Sequence, residues 1–224
     1  TSMAIIFYPS CKIQADFPAE SAAVRRYLEE RHGVQTAGCC RPHHPKLTPE
    51  DHAIVLCNNC ANIVEESSKA GAFTYVWELI DRDADFPFPD YGGERMTVQD
   101  CWAAVERRGM QEAIRSLLRK MNVTIVEQEE NFDKTRFHGP ALLAPCFPGN
   151  AKLIPRRYEN GNSPMFTPMT EEEQHAYFQR HAQKLPTEKA VCSCKYCRDG
   201  IDACGKTGVH ILQLLFPIKE SLIK

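Results

Sequence analysis

The chain has 224 residues, with 27 Lys or Arg against 29 Asp or Glu, a formal charge of −2 and a pI near 6.4. That balance, with no Lys/Arg run, leaves no electrostatic footprint for nucleic acid or for an anionic membrane. At 43% hydrophobic residues the chain can bury a sizeable core without disulfides, as one domain or as two small fused halves.

No stretch approaches the roughly 18 apolar residues that a spanning helix needs. Thr1 to Tyr8 also lacks the charged start and long apolar centre of a signal peptide, so no membrane span and a cytoplasmic protein are expected. Thr1 and Ser2, ahead of Met3, are set aside from the fold argument. The eleven cysteines are the loudest feature of the composition. Their number is odd and a chain of this size needs no staples, so in a reducing compartment they point to metal or cluster ligation before disulfides or buried thiols.

In chain order, Met3 to Tyr8 is a short apolar run that stops at Pro9. Pro18 to His32 then reads as a helix, with Val24, Tyr27 and Leu28 on one stripe, Pro18 in its first turn and Gly33 at its stop. Ala53 to Leu56 is a second buried-strand run, followed by Cys57-Asn58-Asn59-Cys60 and a helix from Ala61. Phe73 to Ile80 closes the first half as a mixed apolar segment, and Asp81 to Arg95, rich in Asp, Pro and Gly, is a linker or surface loop.

The second half repeats this opening. Thr97 to Cys101 is strand-like and ends in a cysteine, and Gln111 to Met121 carries Ile114, Leu117, Leu118 and Met121 on one helical face. Cys101 lies 90 positions after Cys11, Leu118 lies 90 after Leu28, and Val123 lies 89 after Val34, which duplication explains better than chance. Pro140 to Pro168 is irregular by composition, and Thr170 to Leu185 reads as a surface helix opened by a Thr170/Glu173 capping box. Together these make an insertion around 140–186. Ala190-Val191-Cys192 is strand-like, Cys194 to Cys197 opens a helix, and Val209 to Phe216 answers Phe73 to Ile80. The expected fold is α/β, in two pseudo-symmetric halves (3–90 and 91–224), each a small, mostly parallel sheet flanked by helices.

The first half carries Cys11, the adjacent Cys39 and Cys40, and the Cys57/Cys60 pair, each in a loop or at a strand end. If the strands are parallel neighbours, their carboxyl ends share the sheet edge where open α/β folds bind ligands. One zinc takes four ligands, so five converging thiols suit a polynuclear iron–sulfur centre better. Tyr8-Pro9-Ser10-Cys11, Gly38-Cys39-Cys40-Arg41, Cys57-Asn58-Asn59-Cys60 and Tyr75 to Ile80 together resemble the CCG (cysteine-rich) domain of heterodisulfide reductase and its relatives in glycolate and lactate oxidation complexes. The resemblance covers most of the chain as two tandem copies. It implies a non-cubane [4Fe-4S] cluster on Cys11, Cys39, Cys40, Cys57 and Cys60, and electron exchange with a thiol/disulfide small molecule or with a redox partner protein in a complex. Arg41 stands where the family motif has glycine.

In the second half the Cys-Cys pair is absent and Phe137-His138-Gly139 takes its place. Cys101, His138, Cys194 and Cys197 remain, a common zinc set of three thiols and one imidazole. The alternative is a half that only supports the first, with its cysteines as small apolar core residues. His43 and His44 follow the Cys39/Cys40 pair in a polar stretch, Pro42 to His52, expected on the rim of the first site. As imidazoles they are candidates to protonate a departing thiolate, or else ordinary solvated loop residues. His210 is expected as a hydrogen-bonded packing residue and Trp77, Phe73 and Tyr75 as core. The leading function is an iron–sulfur redox protein, a possible oxidoreductase on thiols and disulfides, and the rival is a zinc-binding structural or metal-handling protein without electron transfer.

Overall fold

Four consecutive apolar residues, Ile5 to Tyr8, followed by a proline that cannot extend a ladder, make the pattern of a central parallel strand. In the computed structural model, which describes residues 3–218, they form β1 (Ile5–Tyr8). The first half continues through α1 (Cys11–Asp16), α2 (Pro18–His32), β2 (Gln35–Thr36), α3 (Cys40–His43), β3 (His52–Val55), α4 (Asn58–Ser67), β4 (Ala72–Tyr75) and α5 (Val76–Arg82). The second runs through β5 (Arg95–Gln99), α6 (Arg108–Lys120), β6 (Thr124–Ile125), α7 (Pro148–Leu153), α8 (Glu171–Ala182), β7 (Lys189–Cys192), α9 (Lys195–Ala203), β8 (Thr207–His210) and α10 (Ile211–Leu215).

The strands form two four-stranded, all-parallel sheets with the same order, β2-β1-β3-β4 and β6-β5-β7-β8. Two pseudo-symmetric α/β halves are therefore present. In each sheet the chain steps to one side of the first strand and then returns to its other side, so a topological switch point opens between β1 and β3, and between β5 and β7.

Local devices repeat as well. Gly33 ends α2 with φ 59°, and Asn122, at the matching place after α6, takes φ 55°, the conformation that Asn tolerates best among residues with a Cβ. The segment expected as one mixed apolar run, Phe73 to Ile80, is strand β4 turning directly into α5, with Tyr75 N donating to Glu78 Oε2 at 3.0 Å. Its counterpart turns β8 into α10 with His210 N donating to Gln213 Oε1 at 3.0 Å. A side chain that takes the orphan N–H at the helix start lets a strand become a helix without a loop.

The helix after Cys57 begins at Asn58, not Ala61, because Cys57 itself caps it: Cys60 N donates to Cys57 Sγ at 3.2 Å. Pro140 to Pro168 holds one short helix, α7, among 3-10 turns, and the Thr170/Glu173 box opens α8 as expected, with bonds of 2.8 and 3.3 Å. The main apolar core is shared by both halves: Phe7, Val55, Ile63 and Trp77 from the first pack in one cluster with Val98, Leu117, Val191 and Leu212 from the second. A second cluster gathers Phe137, Phe178, Leu185 and Ile201 around five buried cysteines. Among the described residues, no helix is long and apolar enough to cross a membrane.

Candidate metal centre

Both switch points carry thiols at the carboxyl ends of their strands. Gln99 pairs with Cys192 across β5 and β7, so the chain leaves both strands at one level and Cys101 and Cys194 each follow two residues later. Cys197 sits in the first turn of α9, which Cys194 precedes as N-cap. The fourth residue, His138, comes from far along the chain and is set down by close backbone packing. The turn that it opens lies on α9, where a methyl on Gly139 would stand 1.9 Å from Tyr196 O and one on Gly200 would stand 2.6 Å from Gly139 Cα. Gly139 also takes φ 55°, so glycine is required there on both counts. Trp102 N donates to Phe137 O at 2.9 Å and ties the same turn to the Cys101 segment.

The result is a buried Cys3His set. Cys101, His138, Cys194 and Cys197 place one ligand atom each within 4.8 Å of all the others, and among the described residues this is the one group of metal-ligating side chains so gathered. His138 Nδ1 lies 3.1 Å from Cys101 Sγ and 3.6 Å from Cys194 Sγ. Ligands at zinc's bond lengths of about 2.0–2.3 Å in a tetrahedron stand about 3.5–3.8 Å apart, so the set fits one ion with small adjustments. Burial resists ionisation of Cys101, yet the neighbouring Cys194, Cys197, Ala103 backbone and Asn58 outweigh it and hold this thiol well below its ordinary value. Burial and the neighbouring thiols push Cys197 well above its own. Thiolate sites shed protons as they load. These four residues can hold a metal ion.

Beneath Cys101 lies a charged support. Asp100 accepts from Arg115 Nη1 and Nη2 at 3.0 and 2.8 Å and from Phe132 N at 2.7 Å, and Arg115 also donates through Nε to Glu127 at 2.6 Å. Burial alone would lower the Arg115 guanidinium, and the two carboxylates raise it instead. On the other flank His181 stacks on Phe137 at 4.0 Å and meets Gln99 Oε1 through Nε2 at 2.8 Å. Burial drives His181 down to about 4, so it is neutral. A cavity of about 350 Å³ beyond Phe137, lined by Leu142, Met169 and Tyr177, contains none of the cysteines.

The first-half thiols form a second, looser set. Cys57 Sγ lies 3.1 Å from Cys60 Sγ, Cys60 neighbours Cys40, and Cys11 neighbours Cys39. Cys60 and Cys40 are buried, Cys57 and Cys39 half-buried and Cys11 exposed, so the set opens to solvent at the Cys11 end. The bond from Cys60 brings Cys57 down to about 7, and burial lifts Cys11 to about 11. Ser10, between β1 and Cys11, adopts φ 65° beside Cys57, a strained non-glycine residue of the kind that collects at functional sites. Five soft donors suit an iron–sulfur centre in number and kind. Their spacing requires rotation, since 3.1 Å is less than the roughly 3.7 Å between two thiolates on one tetrahedral metal.

Pro42 to His52, expected as a polar rim loop, instead begins inside the helical turn α3 and continues in a 3-10 turn, His44–Lys46. His44 is buried, with Nδ1 3.1 Å from Cys40 O, and His43 Nδ1 lies 2.8 Å from Cys39 O. Both rings thus address backbone carbonyls of the Cys pair. Arg41 points to the insertion, where its guanidinium bonds Asn150 Oδ1. Tyr158 and Leu153 of the same insertion meet Asn59 at 3.4 Å and Ser67 at 2.6 Å, which covers α4 beside the thiols. Of the remaining cysteines, Cys192 and Cys204 are buried in the second core cluster and Cys146 is half-buried. His210 is a packing residue, its Nδ1 accepting from Leu212 N at 3.2 Å.

Three elements of the site are not foreshadowed by motif or spacing: Asp100/Arg115, the glycine contact of Gly139 with α9, and Asn58. No protein-family model and no curated protein matches the chain. Among solved structures, an aspartate racemase from Picrophilus torridus is similar at 11% identity and a TM-score of 0.31, over 96% of this chain and 91% of that one, a likeness too distant to bear on reaction or ligand.

Proposed function

We propose that the protein is a two-site metal–thiolate redox protein. In this reading Cys101, His138, Cys194 and Cys197 hold a zinc ion that stabilises the second half. Cys11, Cys39, Cys40, Cys57 and Cys60 hold the non-cubane [4Fe-4S] cluster of heterodisulfide reductase-like CCG proteins, and the first half exchanges electrons with a thiol/disulfide substrate or a partner protein. The observation that carries metal binding is the buried Cys3His group with all ligand atoms within 4.8 Å. What supports the redox part is the CCG-like order of the cysteines, their place at the β1/β3 switch point and the solvent opening at Cys11.

The residues divide the work by burial. Zinc is redox-inert, and a closed four-ligand site suits a structural ion. The exposed thiol end is where a disulfide can approach, and a cluster bound there would supply the electrons. Cys57, held near 7 by Cys60, is readily deprotonated for ligation. A second reading follows from the 3.1 Å contact of the Cys57 and Cys60 thiols: the first half stays metal-free and the chain is a zinc protein without electron transfer.

Anaerobic purification followed by zinc, iron and sulfide analysis and a visible spectrum separates the two. The proposal expects about one zinc per chain together with iron and sulfide in a brown sample, with iron lost in Cys39→Ser and Cys40→Ser and zinc lost in His138→Ala while the iron stays. A colourless zinc protein establishes the second reading, and unchanged zinc in His138→Ala removes the Cys3His site.

A further inference from the structure

The helix that starts among the first-half thiols also reaches the second-half ligands. Asn58 and Asn62 are one turn apart on α4 and share a face. Asn62 Nδ2 donates to Ala103 O at 3.0 Å, which sets that face against the segment after Cys101. Asn58, one turn nearer the start of the helix, lies beside Cys101 itself.

The surroundings of Asn58 orient its amide. Asn58 is 2% exposed. Arg107 Nη1 donates to Tyr75 Oη at 2.8 Å, and Arg107 Nη2 is anchored on Glu65 at 3.1 Å. A guanidinium only donates, so the Tyr75 hydroxyl proton is free for another acceptor, and Asn58 Oδ1 lies 2.9 Å away. With Oδ1 taken, the amide nitrogen points away from Tyr75, and it is a buried donor with no hydrogen-bond partner. A donor so placed is costly unless something accepts from it, and sulfur, above all as thiolate, is an acceptor.

We infer that Asn58 is a positioning residue of the second-half metal centre: when the site is loaded, its unpartnered Nδ2 donates an N–H···S hydrogen bond to the Cys101 thiolate, in an orientation held by Tyr75 and Arg107. The inference rests on the metal-binding reading of the Cys3His group. A hydrogen bond to a ligating thiolate disperses its charge and holds its direction, so it slows release of the ion. Because Asn58 stands between Cys57 and Cys60, the segment that presents the first-half thiols also orients a ligand of the second site. The two thiol sites are thereby joined through one residue of the first half.

The test uses the full chain loaded with zinc, or with cobalt(II) as a spectroscopic stand-in, in wild type, Asn58→Leu, Asn58→Asp and Tyr75→Phe. Zinc release to a chromophoric chelator should be roughly 10–100-fold faster in Asn58→Leu. It should be faster still in Asn58→Asp, which sets a carboxylate against the thiolate, and intermediate in Tyr75→Phe. The sulfur-to-cobalt charge-transfer band should shift in the same order while the far-ultraviolet circular dichroism stays native. If Asn58→Leu does not fold, Tyr75→Phe, which loses one hydroxyl, decides. Wild-type release rates and an unmoved band in the folded variants overturn the role of Asn58. Failure of wild-type protein to take up either ion, or uptake untouched by His138→Ala, overturns the metal reading instead.

Discussion

Replacing Arg115 by Met should be among the most damaging single changes outside the ligands. Arg115 is 1% exposed and grips Asp100 through two bonds of 3.0 and 2.8 Å, and the Asp100 side chain is itself 4% exposed. Methionine fills much of the space but leaves the Asp100 carboxylate buried with only Phe132 N as a partner. Removing one partner of a buried pair costs about 3–5 kcal/mol, because the other charge stays uncompensated. For a chain of this length that is a fall in Tm of roughly 6–20 °C, at about 2–4 °C per kcal/mol. Asp100 is the backbone neighbour of Cys101, so zinc retention should weaken along with the fold. Urea unfolding followed by circular dichroism at fixed free zinc measures the loss. Asp100→Asn combined with Arg115→Met removes the stranded charge and should recover a large part of it. A loss under about 1 kcal/mol in Arg115→Met, or a double variant no better than the single one, would refute the account of this pair.

Two further changes test how the site is held. Gly200→Ala puts a methyl 2.6 Å from Gly139 Cα and 2.6 Å from Phe137 Cζ, and overpacking of that kind costs about 1–3 kcal/mol. It should lower Tm and speed zinc loss together, because the displaced turn carries His138, and an unchanged zinc off-rate would separate that turn from the site. His181 is depressed to about 4 against an ordinary value near 6.5, so the unfolded chain binds the extra proton between those pH values. Its neutral form therefore contributes fully above about pH 6.5, and the contribution is lost as pH falls toward 4, by about 3 kcal/mol in all. The stability gap between wild type and His181→Gln, measured by urea unfolding, should shrink from pH 7 to pH 5, and a constant gap would mean that His181 does not titrate with folding.

Short-range pattern was enough for much of the molecule. The parallel strands followed from apolar runs such as Ile5 to Tyr8, and the duplication from the equal offsets that tie Cys11 to Cys101 and Leu28 to Leu118. The Cys101, His138, Cys194, Cys197 set was also legible, because cysteines at matching strand ends fall on one sheet edge whenever the strands are parallel. These are consequences of periodicity and register, which the chain carries locally.

What only the tertiary structure decided depends on contacts between residues far apart in the chain. The polar stretch after Cys40 became helical turns because His44 and Leu47 are buried, which places His43 and His44 against the carbonyls of the cysteine pair. Arg115 looks like one more charge on an amphipathic helix until Asp100 closes over it, and Asn58 looks like turn filler until the second half brings Cys101 beside it. Burial of a polar group is a property of the packed pair of halves, and it is burial that turns such residues from solvated side chains into supports of a metal site.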